Sequence, residues 1–263
     1  MELNGEPALA DDLRALAGNN YGHFTALRVR DGAAVGLDLH LDRLAFATRA
    51  LFDAELDCAT VQGWMRQAVD GMDGEIALRA TVFSRAFDRT HPGAAAVPDV
   101  LIVATPVAPA VALPPVRLTS VAYVREFPEI KHIGTFPLFR WRAVAQTTGA
   151  DDALFVTADG LVAEASIWNI GFWDGSEVIW PQAPQLLGTG MRLLQRGLAE
   201  LGVASRTQAV ALRDVAHFQG AFLTNASVPV QPVAAIDDVA YEPFLLPADM
   251  LQAAFERNSA QAL

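Results

Sequence analysis

Apolar and polar positions first fall into a clear pattern between Phe24 and Val29, which predicts a strand. The Asp31-Gly32 pair behind it predicts a tight turn, with Ala33–Leu37 returning as the hairpin partner. From Asp38 the period changes. Leu41, Leu44, Ala45, Ala47 and Leu51 recur at spacings of three and four, the mark of a helix with one buried face. A second helix is expected over Ala59–Val69, then strands over Glu75–Ser84 and Asp99–Thr105. Pro106, Pro109, Pro114 and Pro115 follow, the sharpest break in the pattern. Such a segment is stiff and extended, and predicts a first domain over 1–109, a linker over 110–116 and a second domain over 117–263. The alternative is a proline-rich loop within one domain. Beyond the break the pattern predicts a strand over Val116–Val124, a loop carrying Lys131, and a helix over Pro137–Thr148 with proline in its first turn. Ala153–Trp180 reads as three short strands joined by turns at 158–160 and 173–176. A helix over Gly190–Leu201 closes at Gly202, a strand covers Phe222–Thr224, and a last helix runs near Pro247–Arg257.

Composition narrows the function classes. The chain has 263 residues, 52% hydrophobic and 19% charged, which suits one large or two modest compact domains and excludes general disorder. A net charge of −11 argues against nucleic acid or an anionic membrane as partner. Cys58 is alone, so no internal disulfide or cysteine-pair zinc site is expected, and the five histidines lack metal-ligand spacing. The opening Met1–Arg14 is acidic and lacks the basic-then-apolar pattern of a signal peptide. The most apolar stretch, Val100–Val116, is interrupted by proline and too short to span a bilayer. A cytoplasmic enzyme or binding protein is the expected class. No Gly-x-Ser-x-Gly elbow supports a serine hydrolase.

Lys131 is the only lysine, beside eighteen arginines. An amine can lose its proton and attack a carbonyl to form a Schiff base, whereas a guanidinium stays protonated. The plain alternative is a surface lysine in an arginine-biased chain. Glu164 sits among apolar and small neighbours, so its carboxylate is expected to be withdrawn from water and to meet a cation there. An arginine partner, or an outward position, would equally explain it. Gly188-Thr189-Gly190 stands before an amphipathic helix, where free N–H groups and the dipole suit a phosphate. Thr224-Asn225-Ala226-Ser227 offers a second polar turn for the same anion, and Arg43 a guanidinium, unless Arg43 lies on a solvated face.

These segments, in this order, resemble the fold-type IV pyridoxal-phosphate enzymes, which include branched-chain and D-amino-acid aminotransferases and aminodeoxychorismate lyase. The resemblance runs through Gly22–Gly32, His40-x-x-Arg43-Leu44, Lys131, Asp159–Glu164 with Asn169-Ile170, Leu187–Met191, and Thr224–Ser227 with Pro229-Val230. It implies an α+β fold of two domains, a smaller N-terminal α/β sandwich and a larger β-barrel-like domain with flanking helices. It implies that Lys131 is the Schiff-base lysine and proton shuttle. Glu164 becomes the partner of the pyridine nitrogen, and Arg43, Thr189, Gly190, Asn225 and Ser227 the phosphate cup of pyridoxal 5′-phosphate. The partners implied are an amino donor, a keto-acid acceptor and a second copy of the chain. Arg79 is a candidate clamp for the substrate carboxylate, with Arg140 or Arg142 as substitutes, and Tyr21 and Thr25 are candidate pocket residues. Phe136 stands where aminotransferases of this group often carry a tyrosine, and Gly190 and Ala226 stand where hydroxyls are frequent. Transamination is the first reading. A lyase of the aminodeoxychorismate type is the second, supported by the Phe24–Val29 strand, and a non-catalytic cofactor-binding homologue is the third.

Overall fold

The computed structural model describes residues 1–109, 111 and 113–263. Ala110 and Ala112 of the expected linker lie outside the described residues. The chain forms two compact units. One comprises Met1–Pro109, Ile130–Gly134 and Ser259–Leu263, and the other the described residues of Ala110–Glu129 with Thr135–Asn258. The division is therefore not a single cut in sequence.

The first unit opens with strands β1 (Glu2–Leu3) and β2 (Glu6–Pro7) and helix α1 (Arg14–Asn19). It continues through β3 (His23–Arg30), β4 (Ala33–Val35), α2 (Leu37–Phe52), α3 (Cys58–Val69), β5 (Glu75–Phe83) and β6 (Asp99–Val107). With the strand Ala260–Ala262 these make an antiparallel sheet in the order Ala260–Ala262, β4, β3, β5, β6, β1, β2. Asp31 and Gly32 both adopt positive φ, the mirror-image turn whose twist matches a hairpin. Helices α2 and α3 bury Leu44, Phe52 and Met65 against Leu27, Leu78 and Ile102 of the sheet. Asp57 caps α3, accepting from the N–H groups of Ala59 and Thr60 at 3.0 and 3.4 Å.

Lys131 was expected on a loop of the second half, yet its segment packs with the first unit. The reason is an unfilled sheet edge. Strand β4 pairs with β3 only at Arg30–Ala33, so the start of β3 has bare backbone groups on that side. Ile130–Gly134 fills the gap: Phe24 N–H donates to the Lys131 carbonyl at 2.9 Å, and Ile133 N–H to that of Gly22 at 3.0 Å.

The second unit runs β7 (Val116–Ala122), α4 (Phe136–Thr147), β8 (Asp152–Val156), β9 (Val162–Ala165), β10 (Trp168–Trp173) and β11 (Val178–Pro181). Then come α5 (Thr189–Glu200), β12 (Ser205–Gln208), β13 (Gly220–Thr224), β14 (Gln231–Ile236), β15 (Val239–Ala240) and α6 (Ala248–Glu256). Six strands close a ring in the order β10, β13, β14, β7, β8, β9 and back to β10. Leu118, Leu154, Val162, Ile170, Phe172, Leu223 and Val233 form its core. Helix α4 covers Ala153 and Phe155, while α5 and α6 cover Trp180 and Phe222. The barrel-like architecture expected for this half is present. The stretch expected to hold three strands holds four, because the chain reverses at Ser166-Ile167 and Ala165 pairs with Trp168. Of the residues by which turns are recognised, that reversal carries only a serine, the weakest of those signals.

Candidate active site

In the first unit the candidate residues gather around Phe24. The Lys131 ammonium lies 4.9 Å from the centroid of its ring, and the Arg79 guanidinium lies 3.6 Å from the same centroid. Two cations thus share one aromatic ring, an attraction that strengthens where water is thinned. Arg79 keeps surface exposure as a residue, but its stacked guanidinium is desolvated, which lowers its pKa. Its Nε donates to Thr81 Oγ1 at 3.1 Å.

Thr25 and His40 are both buried, and Thr25 Oγ1 lies 2.6 Å from His40 Nδ1. Burial pushes the His40 pKa down to about 3, with the charges of Arg43 and Lys131 adding to the shift. His40 is therefore a neutral ring at any ordinary pH, and Thr25 holds it in place. Arg43 follows on the same face of α2, one turn on and half-buried. Tyr21 is differently engaged. Its ring stacks on Phe87 at 4.4 Å and its hydroxyl donates to the Leu51 carbonyl at 3.3 Å, so its polar end is committed to packing.

In the second unit Glu164 lies on β9 in register with Asn169 of β10. It is buried, and the arginine partner left open by the sequence is present. Arg125 Nε donates to Glu164 Oε1 at 2.9 Å, with both side chains 3% exposed. Leu186 N–H approaches Oε2 at 3.4 Å. Asn169 braces the same loop. Its Nδ2 donates to Gln185 Oε1 at 2.9 Å and to the Leu186 carbonyl at 2.7 Å, while its Oδ1 accepts from Gly188 N–H at 3.1 Å.

Gly188 leads directly into α5, where the first-turn N–H groups have no helical partner. A Cβ on Gly190 would fall 2.4 Å from the Asn225 carbonyl oxygen and 2.8 Å from Thr224 Oγ1. The helix start and the end of β13 therefore meet, and only glycine permits it. Thr189 Oγ1 and Thr224 Oγ1 are buried with no hydrogen-bond partner among the described residues. Such groups are costly to leave unsatisfied, and a phosphate oxygen at this place would satisfy both. The residues present fit that group. Asn225 Oδ1 accepts from Ser227 and Val228 N–H at 2.8 and 2.9 Å, which holds the turn itself. That leaves Ser227 as a half-buried residue whose N–H is already used.

Sequence reasoning assigned no individual role to Phe24, Arg125, Asn169 or Thr224. Asn169 and Thr224 lay inside quoted motifs, and their strand-end positions were the available signal. Arg125 had none, since nothing local separates it from seventeen other arginines. Among the described residues no group of three histidine, cysteine, aspartate or glutamate side chains has metal-binding geometry. No described helix is long and apolar enough to cross a membrane.

The family model for amino-transferase class IV matches residues 22–236. A Rickettsia felis protein named probable branched-chain-amino-acid aminotransferase is 29% identical over 94 residues, 35% of this chain and 32% of that relative. The match thus spans about a third of the relative's length. Branched-chain amino acid aminotransferase of Escherichia coli superposes with a TM-score of 0.83 at 17% identity, covering 97% of this chain and 92% of that one. A hypothetical aminotransferase from Mycobacterium tuberculosis, in its PLP-bound form, gives 0.76 at 23% identity, covering 95% of this chain and 94% of that one. At these identities the likeness is one of fold.

Proposed function

Because the chain belongs to the amino-transferase class IV family, we propose that it is a pyridoxal-phosphate-dependent aminotransferase that moves an amino group from an amino acid or amine to a keto acid. The observation that carries the reading is a pair of buried hydroxyls, on Thr189 at the start of α5 and Thr224 at the end of β13, that have no hydrogen-bond partner among the described residues. A phosphate monoester accepts from both hydroxyls and from the first-turn N–H groups, and the helix dipole favours its charge. Gly190 keeps the backbone close enough, and Arg43 supplies a guanidinium suited to phosphate oxygens.

Glu164 would accept a hydrogen bond from the ring N–H of the cofactor. When bound, the cofactor supplies an electron-withdrawing ring and an aldehyde, which make a proton on the substrate α-carbon removable. The Lys131 amine would hold the cofactor through that aldehyde and would serve as the base that moves the α-proton. Phe24 limits the water around Lys131 and orients Arg79, whose outer guanidinium edge takes the substrate carboxylate. Thr25 acts through His40, and Tyr21 supports the wall behind them. The enzyme works as a cytoplasmic homodimer, and sedimentation equilibrium tests the dimer.

Borohydride reduction of the cofactor-loaded protein should leave a phosphopyridoxyl group on the peptide containing Lys131. Lys131→Ala should abolish that label and lower turnover by about 10²–10⁴-fold or more, the span of a lost proton shuttle. Label on another residue, or full turnover in the variant, refutes the assignment. Pyruvate and p-aminobenzoate released from aminodeoxychorismate, with no transfer in a donor and acceptor panel, would replace transamination by lyase chemistry. Cofactor uptake without either reaction would leave a binding protein.

A further inference from the structure

We infer that Arg125 is the positioning residue that decides where the proton shared with Glu164 resides. The inference rests on the reading of Glu164 as partner of the cofactor ring nitrogen and goes one residue beyond it. Arg125 and Glu164 are 39 positions apart, and both are withdrawn almost wholly from solvent. Burying two charges costs more than a pair of matched apolar side chains, so stability alone gives no reason to keep such a pair. The barrel core is filled by residues such as Leu118, Leu154 and Val162, which shows what the fold uses where only packing matters.

The geometry indicates what the pair is for. Arg125 meets the carboxylate through Nε at 2.9 Å on Oε1, and Leu186 N–H comes to the other oxygen at 3.4 Å. Contacts on both oxygens fix the plane of the carboxylate. An ionised carboxylate accepts at about four sites, so the arginine bond is compatible with a ring N–H at the same group. Two atoms then compete for one proton, a ring nitrogen and a carboxylate oxygen. Burial alone drives the proton onto the carboxylate, because it penalises the charged form. A guanidinium in contact reverses that preference, since it favours the anion. With Arg125 in place the proton stays on nitrogen, Glu164 stays an anion, and the ring keeps its electron-withdrawing form. Without Arg125 the proton moves from nitrogen to Glu164 and the ring becomes neutral.

The test compares wild type, Arg125→Met, Arg125→Lys, Glu164→Gln and the double variant Arg125→Met/Glu164→Gln as full chains. Each is loaded with pyridoxal 5′-phosphate, and the pH dependence of bound-cofactor absorption is recorded beside cofactor affinity by equilibrium dialysis. Arg125→Met should displace the spectral transition by at least about one pH unit, a tenfold change in the proton equilibrium. The double variant should abolish that displacement, because the competing carboxylate is gone. Arg125→Lys, which keeps the charge, should stay near the wild-type profile, and it carries the test if the methionine variant does not fold. A merely structural arginine would change affinity or melting without moving the transition. Profiles of Arg125→Met that superimpose on wild type overturn the inference, as does an Arg125→Lys profile displaced by the full unit. Glu164→Gln with unchanged affinity and spectrum removes the underlying reading of Glu164 itself, an outcome separate from a failure at Arg125.

Discussion

Acidification from pH 7 to pH 5 should loosen the first unit through two histidines that have no charge at stake in catalysis. His23 and His40 are fully buried, and burial pushes both pKa values from 6.5 down to about 3, with Arg43 and Lys131 adding to the shift at His40. The sign follows from linkage. Below about 6.5 the unfolded chain protonates these rings while the folded unit does not, so the unfolded state binds more protons and stability falls with pH. At pH 5 each ring accounts for about 2 kcal/mol of lost stability, about 4 kcal/mol for the two, against almost none at pH 7. Most carboxylates titrate below this window, which isolates the histidine effect. The assay is hydrogen exchange at several pH values, read on peptides from β3 and α2 and corrected for intrinsic exchange rates. His40→Gln keeps a hydrogen-bonding partner for Thr25 and should remove about half of the pH dependence, even if it lowers stability at both pH values. His23→Gln should remove the other half. Variants whose protection falls between pH 7 and pH 5 as steeply as wild type would show that the rings are charged in the folded unit, and the reasoning would fail.

Three further perturbations separate the parts of the site. Thr189→Val removes a buried hydroxyl with no partner among the described residues, so the cofactor-free protein should gain about 1 kcal/mol in denaturant unfolding while cofactor affinity falls; loss of both would place the hydroxyl in the fold's own bonding. Gly190→Ala sets a methyl against the Asn225 carbonyl, where backbone must shift, and should cost about 1–3 kcal/mol in melting and most of the cofactor affinity; wild-type affinity would mean that this approach is not part of the cup. Phe24→Leu withdraws the ring beneath Arg79, an interaction of about 0.5–1 kcal/mol, and should raise KM for carboxylate substrates several-fold with a smaller change in kcat; an effect on kcat alone would detach Arg79 from substrate binding.

Local signals made the elements legible and non-local pairing hid their arrangement. The Asp31-Gly32 turn, the three-and-four spacing of α2 and the proline break all act within a few residues, and each is visible by eye. The ring of β-strands is not, because its closure rests on β9 meeting β10 around a reversal marked by a lone serine and on β7 lying parallel to β8 across an intervening helix. Strand β12, Ser-Arg-Thr-Gln, has no apolar alternation because its side chains are largely exposed. In the site, Lys131 and Glu164 stood out by rarity and by context. Arg125 did not, since an arginine among arginines becomes distinctive only once its carboxylate partner is known. Thr224 was visible as a polar strand end, but that its hydroxyl lacks a partner among the described residues is a fact of three-dimensional packing.

The stitching of Ile130–Gly134 onto the start of β3 has a bearing on how this protein can be taken apart. A fragment ending at the proline break would carry β3 with its Gly22 carbonyl and Phe24 amide bare, and β4 without Ala260–Ala262 beside it. Both are raw strand margins of the kind that recruit stray chains. During translation the β3 margin stays open for about a hundred further residues and the β4 margin for more than two hundred, delays of roughly 5–20 and 11–45 seconds at common elongation rates. Chaperone demand early in synthesis, and inclusion bodies from the excised N-terminal piece, are the expected consequences of a lysine that is delivered by a distant part of the polypeptide.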